Sequence, residues 1–150
     1  LMVEAKEEHY PRPEEQNRIL KELFEAFEPK KDFHLLSLDP NMLEMIKFVD
    51  TSAKILVAEF NKKTLSKISL TKKYAGLGGH YLLLDKKLVE EHLACGQKIG
   101  VGYPNSKNNL FREINRGVEW IFCNDAVGLG NILQTELNKA QSLVEAANIK

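Results

Sequence analysis

The sequence is short of several things, and each shortage removes a class of protein. It has two cysteines, Cys95 and Cys123, far apart and outside any CxxC or His/Cys cluster. That argues against a disulfide scaffold or a zinc site, so both read as small core residues. Neither sign of charge is in surplus, with Lys+Arg and Asp+Glu at 21 each, so nothing marks the chain as a binder of polyanions and no nucleic-acid partner is expected. No apolar run nears the ~20 residues that cross a bilayer, and no basic segment leads into an apolar stretch and a cleavage site. The chain therefore reads as soluble, with a cytoplasmic location expected. It opens on Leu1 rather than Met, which leaves room for a lost N-terminal portion, an export signal included.

What is present is enough for a real core. Hydrophobic residues make up 43% and charged residues 28% of 150, and a single domain over 1–150 of this size buries roughly two-thirds of its unfolded surface. After an opening strand, Pro13, Glu14 and Glu15 form a first helical turn, and Ile19, Leu20, Leu23, Phe24 and Phe27 recur at spacings of three and four until Pro29. FHLLSL (33–38) is a buried strand, followed by a helix through Met42, Leu43, Met45, Ile46 and Val49, then the strand KILVAEF (54–60). A polar helix over 64–74 leads to a short strand ending near Leu77 and a loop with Gly78, Gly79 and His80.

The last third writes one unit twice. DKKLVEEHLAC (85–95), Gly96 and KIGVGY (98–103) give helix, left-handed stop and strand, and SKNNLFREINR (106–116), Gly117 and VEWIFCN (118–124) repeat it with Ser106 as the N-cap. A final helix runs from about Gly130 to Ala147. Six strands alternating with six helices specify a parallel sheet packed against helices, closed either as an open doubly wound sheet or as a length of (β/α)8 barrel. Periodicity does not choose between them.

The opening strand, LMVEAK, raises its own question. Leu1, Val3 and Ala5 share one face, while Met2, Glu4 and Lys6 share the other. A carboxylate and an ammonium stand side by side on a face headed for the interior.

VEAK at 3–6, SLD at 37–39, GQKIGVGYPN and RGVEWIFCNDA together resemble the glycerophosphodiester phosphodiesterase family over roughly residues 2–133. There the third barrel strand reads I-E-x-K, the fourth ends in Ser-Phe, the seventh in W-T-V-N, and the eighth reads G-V-D-G-I-x-T-D. The resemblance implies an α/β fold that is a partial TIM barrel, with about six parallel strands matching family strands three to eight. On it Leu1 begins strand three, and the first two strands are absent. A TIM barrel keeps its catalytic groups at the C-terminal strand ends, so Glu4 is implied to be one ligand of a divalent metal, Ca²⁺ or Mg²⁺, and Lys6 to hold the substrate phosphate. Hard cations do take oxygen ligands.

The family's acid–base histidines come from an H-R-G region on the first strands, which has no counterpart here, so the catalytic pair is unknown. His9, His34, His80 and His92 all lie outside that context. Within the matched part Ser-Phe becomes Ser37-Leu38, the Trp of W-T-V-N falls on Gly102 beside Tyr103, and strand eight carries Glu119-Trp120 and Cys123-Asn124.

Among single residues, Tyr103 and Asn105 after strand seven are expected to line a substrate pocket, and His80 is expected on the same face. AGLGGHY (75–81) reads as a turn rather than a phosphate cradle, since no GxGxxG or GxxxxGK[ST] is present. VGLGN (127–131) reads as an anion site or a plain helix start. His34 reads as a satisfied core group, His9 and His92 as structural or exposed, and Trp120 as packing.

Two functions follow. One is metal-dependent hydrolysis of small-molecule glycerophosphodiesters to glycerol 3-phosphate and an alcohol, a step of lipid metabolism, with this isolated chain inactive for want of two strands. The other is a non-catalytic α/β remnant serving as a binding or assembly module, whose open strand edges call for a homo-oligomer or a complementing N-terminal segment.

Overall fold

The computed structural model describes residues 1–6, 12–29 and 33–148. The sequence alternates as read: β1 (Met2–Glu4), α1 (Pro13–Phe27), β2 (His34–Ser37), α2 (Pro40–Met45), a 3-10 turn (Thr51–Ala53), β3 (Lys54–Ala58), α3 (Lys62–Lys72), β4 (Gly76–His80), α4 (Lys86–Ala94), β5 (Lys98–Gly102), α5 (Lys107–Asn115), β6 (Trp120–Phe122) and α6 (Ala126–Asn148). His9 lies outside the described residues.

All neighbouring strands are parallel, and their order is β1-β2-β3-β4-β5-β6. A chain that always steps to the next position in one direction stacks its crossover helices on one face of the sheet. The other face must then be covered by curling, and it is: the His34 ring on β2 and the Trp120 ring on β6 meet at 4.6 Å. This decides between the two closures. The architecture is a curled half-barrel, six strands of a partial TIM barrel.

Strand alternation sorts the residues. Toward the helices go Leu35, Leu56, Ala58, Leu77, Ile99 and Val101, which join Leu43, Leu65, Leu88 and Val89 from the helical layer in one core. Val3 and Ala5 of the first strand join the same core, so Glu4 is left on the concave side. On that side β4 and β5 offer glycines. A Cβ on Gly78 would meet Val57 and Ile55, and one on Gly100 would stand 3.0 Å from Phe122 Cε2 and 3.4 Å from Trp120 Cε3. The bare backbone at Gly100 leaves room for the Trp120 indole in the hollow.

Several expectations are corrected here. Gly78, Gly79 and His80 are strand, not loop: β4 pairs with β3 through Gly79 and with β5 through His80. Glycine has little strand propensity of its own, but pairing on both edges outweighs that. The helix expected to reach Val49 ends at Met45, although Ile46 and Val49 beyond it stay buried. The last helix starts at Ala126 rather than near Gly130, because the Asp125 carboxylate accepts from Gly128 N at 2.8 Å and caps it. VGLGN is thus a plain helix start whose donors already face a carboxylate.

The cysteines are not core residues. Cys95 is exposed, and Cys123 is half-buried. Cys95 caps α4 at its C-terminus, off the buried stripe of Leu88, Val89 and His92. His34 is not fully satisfied either, since its Nδ1 is buried with no partner.

Candidate functional site

The concave face opens at the C-terminal strand ends into a cavity of about 710 Å³. Each strand sends its last inward residue there. Glu4 comes from β1, His80 from β4, Phe122 from β6, and Glu59 and Asn124 continue the inward register of β3 and β6 by one residue pair. Tyr103, just past β5, completes the ring.

Glu4 and Lys6 form an ion pair at 3.7 Å, with side chains 41% and 57% exposed. Pairs this exposed hold little free energy, about 0–1 kcal/mol, so both groups stay available to a ligand. Lys6 itself lies in a neighbouring groove with Ile19, Leu20 and Leu23 of α1, and Glu4 borders both hollows.

His80 is oriented by its backbone surroundings. Its Nδ1 accepts from Leu82 N at 3.2 Å, which fixes the tautomer and leaves Nε2 carrying the proton. The ring stacks on Tyr81 at 4.8 Å and tilts against Tyr103 at 5.6 Å. Tyr103 sits at φ 69°, in the left-handed region unusual for a side-chain-bearing residue. Its N–H donates to the Phe122 carbonyl at 2.7 Å, which holds it there. Asn105 is placed differently: exposed, it accepts from Asn109 Nδ2 at 3.2 Å and belongs to the start of α5.

The loop after β4 is tied down from two sides. Lys62 bridges to Asp85 at 2.9 Å and donates to the Leu83 carbonyl, and Arg116 donates to the carbonyl of Leu84. The Lys62 bond holds the Asp85 carboxyl below its usual range. Asp85 in turn caps α4 through Leu88 N at 3.1 Å.

The other described histidines are remote from the mouth in chemistry or in place. His34 sits near Lys98 and Trp120 at the opposite end of the strands, and burial, then the Lys98 charge, push its pKa down. His92 is fully buried between α3, α4 and the sheet, with Nε2 2.8 Å from Ser66 Oγ and Nδ1 2.6 Å from Gln97 Oε1. Because Gln97 Nε2 donates to the carbonyls of Ser69 and Tyr74, Oε1 accepts from His92 and the Ser66 hydroxyl donates to Nε2. The Ser-His-Gln array has the connectivity of a nucleophile relay, but with no exposed atom on His92 it is a structural network.

Glu59, Asn124 and Phe122 are the lining residues that sequence reasoning passed over. The available signal was the two-residue alternation carried one step past the strand: Val57 to Glu59, and Trp120 through Phe122 to Asn124.

A hard divalent cation wants six or more oxygens. Among the described residues no group of three or more His, Cys, Asp or Glu side chains is gathered tightly enough to hold one, so the donor set present does not by itself fit a metal. No helix among those residues is long and apolar enough to cross a membrane.

No protein-family model matches the sequence, and no curated protein matches it. Solved structures do match in fold. A candidate glycerophosphodiester phosphodiesterase from Galdieria sulphuraria superposes with a TM-score of 0.76 at 18% identity, over 89% of this chain and 57% of that one. A glycerophosphodiester phosphodiesterase from Parabacteroides distasonis gives 0.73 at 18% identity, over 91% and 58%. A candidate glycerophosphoryl diester phosphodiesterase from Agrobacterium tumefaciens gives 0.65 at 14%, over 81% and 51%. The chain thus spans little more than half the length of these proteins, and what it shares with them is the fold of part of a glycerophosphodiester phosphodiesterase barrel.

Proposed function

We propose that residues 1–150 act as one domain of a phosphodiesterase that hydrolyses glycerophosphodiesters to glycerol 3-phosphate and an alcohol. The observation that supports this most is the meeting of Glu4 and His80 on one cavity at the C-terminal ends of parallel strands, where barrels of this kind carry their chemistry. In this reading the Lys6 ammonium attracts the phosphodiester, and His80 Nε2–H donates a hydrogen bond to one of its oxygens. Tyr103 closes the wall beside it. Glu4 contributes one oxygen toward a divalent ion, Ca²⁺ or Mg²⁺, whose remaining ligands the described residues do not assemble.

The same reading makes the isolated chain inactive. The family that the chain resembles uses a pair of acid–base histidines, and among the described histidines His80 alone lines the mouth. Phosphorus NMR titration with glycerophosphocholine tests the proposal. Binding without turnover is expected, weakened by Lys6→Ala and by His80→Ala. Binding untouched by either change, or steady hydrolysis by the 150-residue chain, would falsify the assignment of roles.

A second reading is favoured by one observation: β1 and β6 end the described sheet, and beside β1 the helix α1 exposes Ile19, Leu23 and Phe27. A non-catalytic module that pairs these edges in a homo-oligomer or with a complementing segment fits it. Sedimentation that finds a stable monomer at high concentration counts against self-pairing.

A further inference from the structure

We propose that Lys62 and Arg116 are positioning residues for His80: through the turn that follows β4 they hold its imidazole in one orientation and one tautomer, keeping Nε2–H free for the ligand. This rests on the phosphodiesterase reading and adds to it the device that presents the hydrogen-bond donor.

Three observations carry it. First, three consecutive N–H groups of the turn converge on His80. Leu82 N donates to its Nδ1 at 3.2 Å, and Leu83 N and Leu84 N reach its carbonyl oxygen at 2.8 and 3.4 Å. A ring nitrogen that accepts carries no proton, so whatever keeps Leu82 in place also keeps the Nε2–H form. Leu84 anchors the far end of the turn in the core, but Leu82 is 68% exposed, so packing does not fix the N–H that meets the imidazole.

Second, the carbonyls of the same turn are held by two cations from different helices. Lys62 on α3 donates to the Leu83 oxygen, and Arg116 at the end of α5 donates to the Leu84 oxygen. The peptide between Leu83 and Leu84 therefore has an ammonium on its oxygen and the His80 carbonyl on its N–H. Each of those bonds polarises the group in favour of the other. The Lys62 and Arg116 side chains are only 25% and 17% exposed, so solvent screens their bonds less than those of surface pairs.

Third, neither cation is free to swing away. Asp85 pairs with Lys62 at 2.9 Å while it caps α4, and the fully buried Glu113 pairs with Arg116 at 2.7 Å. Glu113 also holds Arg112, whose guanidinium carbon stands 5.0 Å from the centre of the Tyr81 ring on which His80 stacks. Edge and face of the imidazole both trace back to α5. A donor fixed in this way loses little freedom when a ligand arrives.

Nitrogen-15 NMR of the imidazoles in the 150-residue chain reads the tautomer, and phosphorus NMR titration with glycerophosphocholine reads the ligand. The unaltered chain is expected to show His80 as the Nε2–H tautomer alone. Lys62→Met keeps the aliphatic stem and removes the donor. It should give a mixture of tautomers and bind glycerophosphocholine about three- to tenfold more weakly, the cost of ordering one freed side chain, and Lys62→Arg should restore both. Arg116→Lys keeps a charge beside Glu113 and gives up the fork that also reaches Leu84. It should act like Lys62→Met, and it decides the matter should that variant not fold. Lys72→Met removes an equal charge from the other end of α3, where Lys72 pairs with Glu44, and should change neither readout.

A mixture of tautomers in the unaltered chain, or a single tautomer kept in either variant that folds, overturns this inference and leaves the phosphodiesterase reading standing. A mixture with unchanged glycerophosphocholine binding overturns it too, as does equal weakening by Lys72→Met, which would make the effect one of charge alone. No binding by the unaltered chain overturns the phosphodiesterase reading and this inference with it.

Discussion

His34 on β2 and Trp120 on β6 face each other across the hollow of the sheet, ring centroids 4.6 Å apart and planes inclined at 56°. The contact joins strands that are four positions apart in the sheet, so it exists only because the sheet curls. Lys98 adds its ammonium 5.4 Å from the indole centroid and pairs with Glu119. Trp120→Ala should cost about 2–3 kcal/mol, somewhat below the loss for a fully enclosed indole. Urea unfolding checks it. A cost under about 0.5 kcal/mol would mean that the curl does not depend on this filling.

Two histidines link stability to pH. Burial lowers the pKa of both His34 and His92 from 6.5 in the folded protein. A depressed folded value means that the unfolded chain binds protons first as pH falls. Stability is therefore fully present above about pH 6.5 and declines below it. Thermal melts from pH 8 to pH 5 are expected to show that decline, and His34→Gln/His92→Gln should flatten it. Because Trp120 is the single tryptophan, its emission reports the His34 end separately.

Glycines in β4 and β5 are required for contact reasons. A Cβ on Gly76 would overlap the Lys98 backbone, and one on Gly79 would lie 2.8 Å from the Ala58 carbonyl oxygen. Gly76→Ala should destabilise by about 2 kcal/mol or more, as overpacking against backbone does. Gly130→Ala, where nothing stands within 4 Å, should stabilise α6 by about 0.5–1 kcal/mol. Parallel denaturant curves decide the contrast, and equal effects at the two sites would contradict it.

Glu113 is fully buried, and its carboxylate is paired with Arg112 and Arg116, each at 2.7 Å. Arg116 carries the heavier duty, because its guanidinium also reaches the Leu84 carbonyl under the β4 loop. Arg116→Ala should cost about 2–4 kcal/mol by leaving a buried carboxylate under-compensated. Arg112→Ala, with a side chain 46% exposed, should cost well under half of that in the same unfolding measurement.

Much of the fold was legible in the sequence because its signals are local. The α1 stripe from Ile19 to Phe27, the Ser106 cap and the stops at Gly96 and Gly117, with φ of 74° and 81°, depend on neighbours a few residues away. The β4 strand was misread because its stability comes from partners on either side, and a Gly-rich run shows nothing of them. The site divides the same way. Glu4 is expected at the mouth from its place on a strand and His80 from a loop position, which the structure replaces with the end of β4, while Glu59 and Asn124 lie just past strands that end earlier than expected, at Ala58 and Phe122. Cys95 is exposed against expectation because it ends α4 off the buried stripe, a position that its apolar character does not reveal.

The sequence by itself determined the alternation of strand and helix, the helix stops at Gly96 and Gly117, and the face on which Glu4 stands, since 3.6- and 2-residue periods and left-handed glycines are written in nearest neighbours. Only the tertiary structure decided that the sheet curls, that six strand ends share one hollow, and that Phe60 and Leu82 ring it. Curling depends on what fills the concave side, and there a single indole meets a histidine from a strand 86 residues earlier, a relation that no local pattern encodes.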